Sequence, residues 1–372
     1  MNKTLSKAVL TIVLSLASLS ATAEYTFTLL DGLGGSYSEA NAINNSNKIA
    51  LYADTFSNLA NRAAYFEGSV ITELGTLGGA SSSALAISDN GQVVGYSTIA
   101  GTSIRRATLW NGTTANDLGT LGGSISEARS INNSGQIVGF SYTSGNFAQH
   151  ATMWNGTTIT DLGTLGGNRS FANAINNSGQ VAGFSYLSGN NAQHATLWNG
   201  TSITDLGTLG GLNSQATAIN SSGQVAGNSS TTGNLNIHAT LWSGTSIIDL
   251  GTLGGTDSYA YAMNNMGQVV GSSFTTGNSA NHATLWNGTT AFNLNSFLDA
   301  TTIDAGWVLT AAKGINDNGW IVGNASNSLL GISSQAFLLS VSPVPETATY
   351  SMLLMGLGLV GFVIRRRKTT QA

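Results

Sequence analysis

Ile175-Asn176-Asn177-Ser178-Gly179-Gln180-Val181-Ala182-Gly183 is one copy of a nine-residue pattern, Ile-Asn-x-x-Gly-Gln-Val-x-Gly. The pattern starts at Ile43, Ile87, Ile131, Ile175, Ile219, Met263 and Ile315, with a step of 44 residues and eight extra residues before the last copy. A second motif, Leu-Gly-Thr-Leu-Gly-Gly, keeps the same step at Leu74, Leu118, Leu162, Leu206 and Leu250, and Leu30 to Gly35 is a decayed copy. A third, His-Ala-Thr-Leu-Trp-Asn-Gly, places its Ala at 107, 151, 195, 239 and 283, with weaker versions at Ala63 and Ala336. A fixed period of this length marks a repeat architecture in which each unit buries its faces against its neighbours.

Turn signals divide each unit into four short strands. In the unit around Ile175 they predict strands at Phe171 to Asn176, Gln180 to Tyr186, His194 to Trp198 and Ser202 to Leu206. Asn177-Ser178-Gly179 and Asn199-Gly200 supply the turns, and the Gly-rich stretch Gly207 to Gly211 leads to the next unit. Four strands in about 40 to 45 residues, with no helical period, predict a propeller blade. Strands such as Val181 to Phe184, with small or apolar residues on both sides, suit a sheet covered on both faces. Tyr25 to Leu30 reads as a fourth strand without partners, and 311 to 341 as three strands lacking a fourth. Joining them predicts an all-β, seven-bladed propeller over residues 24 to 341, closed by its N-terminal strand, which removes a free sheet edge. A right-handed β-solenoid is the alternative, with unusually long coils.

Charged residues make up 8% of the 372, and Cys is absent. That removes thiol catalysis, Cys-based zinc sites and disulfides. Residues 24 to 343 hold 7 basic and 16 acidic side chains, a balance that argues against a nucleic-acid partner.

The ends differ from the body. Lys3 and Lys7, the apolar stretch Ala8 to Leu19 and Ala21-Thr22-Ala23 read as a signal peptide over residues 1 to 23, with cleavage after Ala23. At the other end Pro343 and Pro345 are the only prolines. Val344-Pro345-Glu346 follows, then an apolar segment over 348 to 364 that can just span a bilayer, then Arg365, Arg366, Arg367 and Lys368, which the positive-inside rule keeps cytoplasmic. A plain single-span anchor would read the same way.

Residues 342 to 372 resemble a PEP-CTERM sorting tail, with Thr347 where that motif has its second proline. The resemblance implies processing by an exosortase, a transient anchor in the inner membrane, and export in company with exopolysaccharide. The body resembles the HAF-repeat family of extracellular bacterial proteins, through His150-Ala151-Thr152 and its copies and through Gln335-Ala336-Phe337. That resemblance implies an exported repeat protein and no reaction.

Three repeated positions are candidate sites. His150, His194, His238 and His282 occupy one, with Arg62, Arg106 and Gln335 in the other copies. Equivalent imidazoles on neighbouring sheets about 10 Å apart cannot share a zinc that needs nitrogens at about 2.0 to 2.1 Å, so hydrogen bonding at the sheet edge is expected. Asp117, Asp161, Asp205 and Asp249, with Glu73, precede Leu-Gly-Thr and suit turn and backbone hydrogen bonds. Trp110, Trp154, Trp198, Trp242 and Trp286 suit packing between sheets and, if exposed, contact with sugar rings.

Glu39, Glu127, Asp257, Asp299 and Asp304 lie outside the repeated acid position, but Glu39 and Glu127 occupy equivalent places two units apart, and no spacing pairs any of the five as acid and base. No nucleophile elbow or phosphate loop is present. The expectation is a protein without cofactor, metal or catalytic residues, at the cell surface or in the extracellular matrix, that binds exopolysaccharide or surface proteins. A polysaccharide-modifying hydrolase or lyase is the second reading. Ice or surface binding through repeated Thr is a third, though radiating blades would not form a flat Thr array.

Overall fold

The computed structural model describes residues 24–56 and 60–342; the signal peptide, the sorting motif, the segment 348–364 and the basic end lie outside the described residues. Among the described residues no helix is long and apolar enough to cross a membrane.

The body, Tyr25–Val341, is all-β. Its strands form five four-stranded sheets and one of eight, and the eight-stranded sheet consists of two four-stranded antiparallel arrays joined by a single parallel bridge between Gln149 and Arg169. Six arrays follow the chain in order, over residues 34–73, 78–117, 122–161, 166–205, 210–249 and 254–293. The remaining sheet orders Glu24–Leu29 beside Ile332–Ser342, then Ile321–Asn327 and Trp307–Ile315. The N-terminal strand thus occupies the fourth position of the last sheet. The backbone N–H of Leu30 donates to the carbonyl of Ala336 at 2.9 Å, as Leu118 does to Ala107 and Leu162 to Ala151 inside single units.

In the unit 166–205 the strands are Gly166–Ile175, Val181–Leu187, Gln193–Asn199 and Ser202–Asp205. The first strand therefore begins five residues before the expected Phe171, because the Gly-Gly pair is part of it. Glycines normally weaken strands, but here irregular register between Gly166 and Ser170 lets the strand continue through them. The first turn holds Gly179 at φ 80°, a conformation costly for any residue with a Cβ.

A β-bulge explains the Val-x-Gly pattern. Ala172 pairs with Gly183 and Ala174 with Ala182, leaving Asn173 as the extra residue. The bulge pushes the first strand so close that a Cβ at Gly183 would overlap the Phe171 carbonyl. The eight-residue insertion forms a 3-10 turn, Leu294–Phe297, and a five-residue α-helix, Ala300–Asp304, which the search for a helical period missed because it is one turn long. Asp299 caps the helix by accepting from the Thr302 N–H.

Buried apolar side chains among the described residues form seven clusters, each drawn from two units. Trp154 packs with Val94 and Ala107 of the preceding unit, and Trp198 with Val138 and Ala151. One cluster unites Leu30, Val322, Ala336 and Leu338 with Ala40, Ile49 and Leu51, from opposite ends of the chain.

At six of these boundaries a serine in the first strand of the following unit ties the two units together. The Ala107 N–H donates to Ser126 Oγ at 3.0 Å, Ala151 to Ser170 at 2.9 Å, and Ala336 to Ser38 at 3.0 Å across the ends of the chain.

Leu30 is fully buried in the cluster that joins the ends. Leu30→Ala is expected to lower unfolding stability by about 2 to 5 kcal/mol, read as a lower denaturant midpoint with an unchanged slope. An unchanged midpoint would show that the N-terminal strand does not hold the last sheet.

Candidate ligand-binding cleft

The histidines and acids, read separately in the sequence, meet in space. His150 Nδ1 lies 2.6 Å from Asp161 Oδ2, His194 Nδ1 2.7 Å from Asp205, and His238 Nδ1 2.7 Å from Asp249. Each pair joins the third and fourth strands of one unit, eleven residues apart, and each Asp also accepts the N–H of the glycine two residues on, as Asp161 does from Gly163 at 2.8 Å. The signal was present in the sequence: where the acid becomes Asn293, His282 bonds its amide at 3.0 Å, and where the histidine becomes Arg62, it lies 3.6 Å from Glu73. These are cross-strand ties, and no group of three metal-ligating side chains occurs among the described residues.

The tryptophans are 0 to 2% exposed, so none offers a ring face to a sugar. The reading of Trp110, Trp154, Trp198, Trp242 and Trp286 as glycan contacts is corrected: each indole is buried between its own sheet and the preceding unit. The repeated threonines also serve their own turns, as Thr164 Oγ1 does by donating to the Gly167 carbonyl at 2.8 Å.

At the end of the body where first strands turn into second strands, amide side chains form a belt that the sequence reading took only for turns. Asn132 Oδ1 accepts the N–H groups of Ser134 and Gln136, closing its own turn, while its Nδ2 donates to the carbonyl of Asn176 at 3.1 Å. The link repeats from Asn176 to Asn220, from Asn264 to Asn316, and from Asn316 to Asn44 at 3.0 Å, which connects the last unit to the first. A cavity of about 190 Å³ lies within the belt, and all seven copies line it.

The opposite end carries a larger opening. A cleft of about 740 Å³ runs over the units 34–73, 78–117 and 122–161, lined by Glu39, Asn41, Tyr52, Asn61, Tyr96, Arg105, Glu127 and Arg129 with Ser81 to Ser83 and Thr98. Glu39 and Glu127, two units apart in sequence, thus border one space. Glu127 is held between Arg129 Nε at 3.0 Å and Arg105 at 3.7 Å. Arg129 is the bulge residue of its strand, between the pairs Ala128–Gly139 and Ser130–Val138. Its guanidinium also reaches Asn173 at 2.8 Å and lies 4.9 Å and 5.5 Å from the ring centres of Phe140 and Phe171. Glu39 accepts from the Tyr37 hydroxyl, and burial followed by this network raises Tyr52 well above the ordinary phenol range, so it remains a neutral donor.

The C-terminal segment matches the PEP-CTERM protein-sorting motif over residues 343–368. The motif supports an exported protein that an exosortase processes and that is sorted to the cell surface. No curated protein matches the chain. The body is similar in fold to the β-propeller domain of the trilobed protease from Pyrococcus furiosus, described as having an open velcro topology, with a TM-score of 0.50 at 10% identity over 82% of this chain and 95% of that one. That likeness supports a propeller-like fold and carries no activity across.

Burial raises the Asp161 carboxyl, but hydrogen bonds from His150 and the Gly163 N–H, with the attraction of His150, outweigh it and hold the group below its ordinary value. A depressed folded pKa stabilises above the unfolded value of about 3.9 and is lost as pH falls through the folded value. His282, beside a neutral amide, is pushed down by burial. Asn293→Asp is therefore expected to raise the His282 titration midpoint, followed by NMR of the imidazole, and an unmoved midpoint would show that the two side chains do not interact.

Proposed function

We propose that the chain is an exported, non-enzymatic repeat protein of the cell surface or extracellular matrix, of the HAF-repeat kind, whose body is a closed seven-bladed propeller that binds surface glycan or surface proteins. The match to the sorting motif at 343–368, following a weakly charged repeat body, carries the reading.

Closure is supported by counting. An open row of seven units has six boundaries, whereas seven apolar clusters occur, and the seventh joins the first and last units. The Asn316–Asn44 link and the Ala336–Ser38 bond cross the same boundary. These contacts support a closed ring over an open solenoid.

In this reading the signal peptide is cut after Ala23, the segment 348–364 anchors the chain transiently, Arg365 to Lys368 stay cytoplasmic, and the exosortase acts near Val344-Pro345-Glu346. Intact-mass measurement of protein released from cells tests it. The expected species begins at Glu24 and lacks the apolar segment and basic end. Uncut polypeptide retained in the cell would overturn the export reading.

The convergence of Glu39 and Glu127 on one cleft favours a second reading, a polysaccharide hydrolase or lyase. Glycoside hydrolysis needs two carboxyl groups free to act on the scissile bond, and the Glu127 carboxylate is already engaged by two guanidiniums. The ion pairs of Glu127 with Arg105 and Arg129 therefore support binding over catalysis.

A further inference from the structure

Charge is scarce in this protein, yet four charged side chains gather in the cleft over the first three units. Their places in the frame are held by other residue types elsewhere. The position of Arg129 is filled by Asn41, Leu85, Asn173, Thr217, Tyr261 and Lys313 in the other units, and that of Tyr52 and Tyr96 by Phe140, Phe184, Asn228, Ser272 and Asn324. The same bulge forms with Thr217 as with Arg129, so the fold does not dictate the residue there.

The lining narrows the ligand. Two carboxylates and two guanidiniums cancel in formal charge, which excludes the phosphate-neutralising surface that a nucleic acid requires. Peptides are held by deep apolar pockets for anchor side chains or by pairing with a sheet edge, and hydroxyls, amides and ion pairs supply neither. What the cleft offers is donors and acceptors in fixed positions beside aromatic rings. Glu127 is 9% exposed, and Arg129 is fixed by Glu127, Asn173 and two rings, so ordering these groups costs little on binding. Arg105 is different: its side chain is 53% exposed, it lies 4.9 Å over the Tyr96 ring, and its ion pair at 3.7 Å leaves guanidinium donors free for a ligand.

We propose that this cleft is a binding site for a neutral oligosaccharide segment, with sugar faces against Tyr52 and Tyr96 and hydroxyls exchanging hydrogen bonds with Glu39, Asn41 and Arg105. This deepens the glycan-binding reading above and rests on it. The volume of about 740 Å³ falls within the roughly 300 to 1,000 Å³ of small-molecule sites.

The test uses full-length protein on an array of neutral glucans, galactans and mannans beside polyuronates, with titration calorimetry on the best neutral oligosaccharide. Arg105→Ala and Tyr96→Ala are each expected to weaken binding about tenfold or more, while Leu235→Ala, in an exposed loop outside the cleft, leaves it unchanged. Unchanged melting temperatures keep a folding defect apart from a lost contact. Neutral saccharide bound equally well by both cleft variants would overturn the site and leave the glycan-binding reading standing. Binding confined to polyuronates would overturn the ligand class. No binding to any array member, with retention on the host's own exopolysaccharide, would also overturn the neutral-ligand assignment. Failure on both would remove the glycan-binding reading itself.

Discussion

Each 44-residue unit has two apolar sheet faces and cannot cover either by itself. Every buried cluster is therefore shared, and every shared boundary adds a backbone N–H donated to a neighbour's serine or an amide donated to a neighbour's carbonyl. In a row of such units the outermost faces would remain open to water, at a cost that grows with the apolar area exposed. The contacts of Leu30, Ser38 and Asn44 with Ala336 and Asn316 resolve that problem between residues almost 300 positions apart. Because they are so distant in the chain, forming them requires a large loop to be closed, at a cost in chain entropy.

The repeat divides the labour between kinds of residue. Gly, Ala, Ser and Asn build the frame, since they permit close strand approach and satisfy backbone groups without charge. The frame then tolerates many side chains at a few places, chiefly the bulge residue and its cross-strand neighbours. Sparse charge elsewhere makes the gathering of Glu39, Arg105, Glu127 and Arg129 distinctive.

Much of this was legible in the sequence, for physical reasons that particular residues make plain. Four strands per unit follow from turn signals at Gly179 and Asn199, and the unpaired first strand follows from where the motifs begin and end. Strand starts were misplaced because Gly166 and Gly167 look like a break when they in fact occupy a bulged strand. The His–Asp ties were missed because each repeated position was read alone, although both change together at Arg62 and Glu73. The cleft could not be read at all: Glu39 and Glu127 stand 88 positions apart, and only the stacking of three units brings them together. The tryptophans show the converse, since a large aromatic at a fixed step is equally compatible with display and with burial until its neighbours are known.

The strand Ile332–Ser342, from which the chain runs on towards the sorting segment, is an interior strand with Glu24–Leu29 on one side and Ile321–Asn327 on the other. Traction applied through residues beyond Ser342 would act along that strand against hydrogen bonds on both flanks. A strand loaded in this direction must break many bonds at once by sliding, whereas an outermost strand can be peeled away one bond at a time. Threading the N-terminal strand outside the C-terminal one therefore gives the body mechanical resistance to a pull on its C-terminal strand.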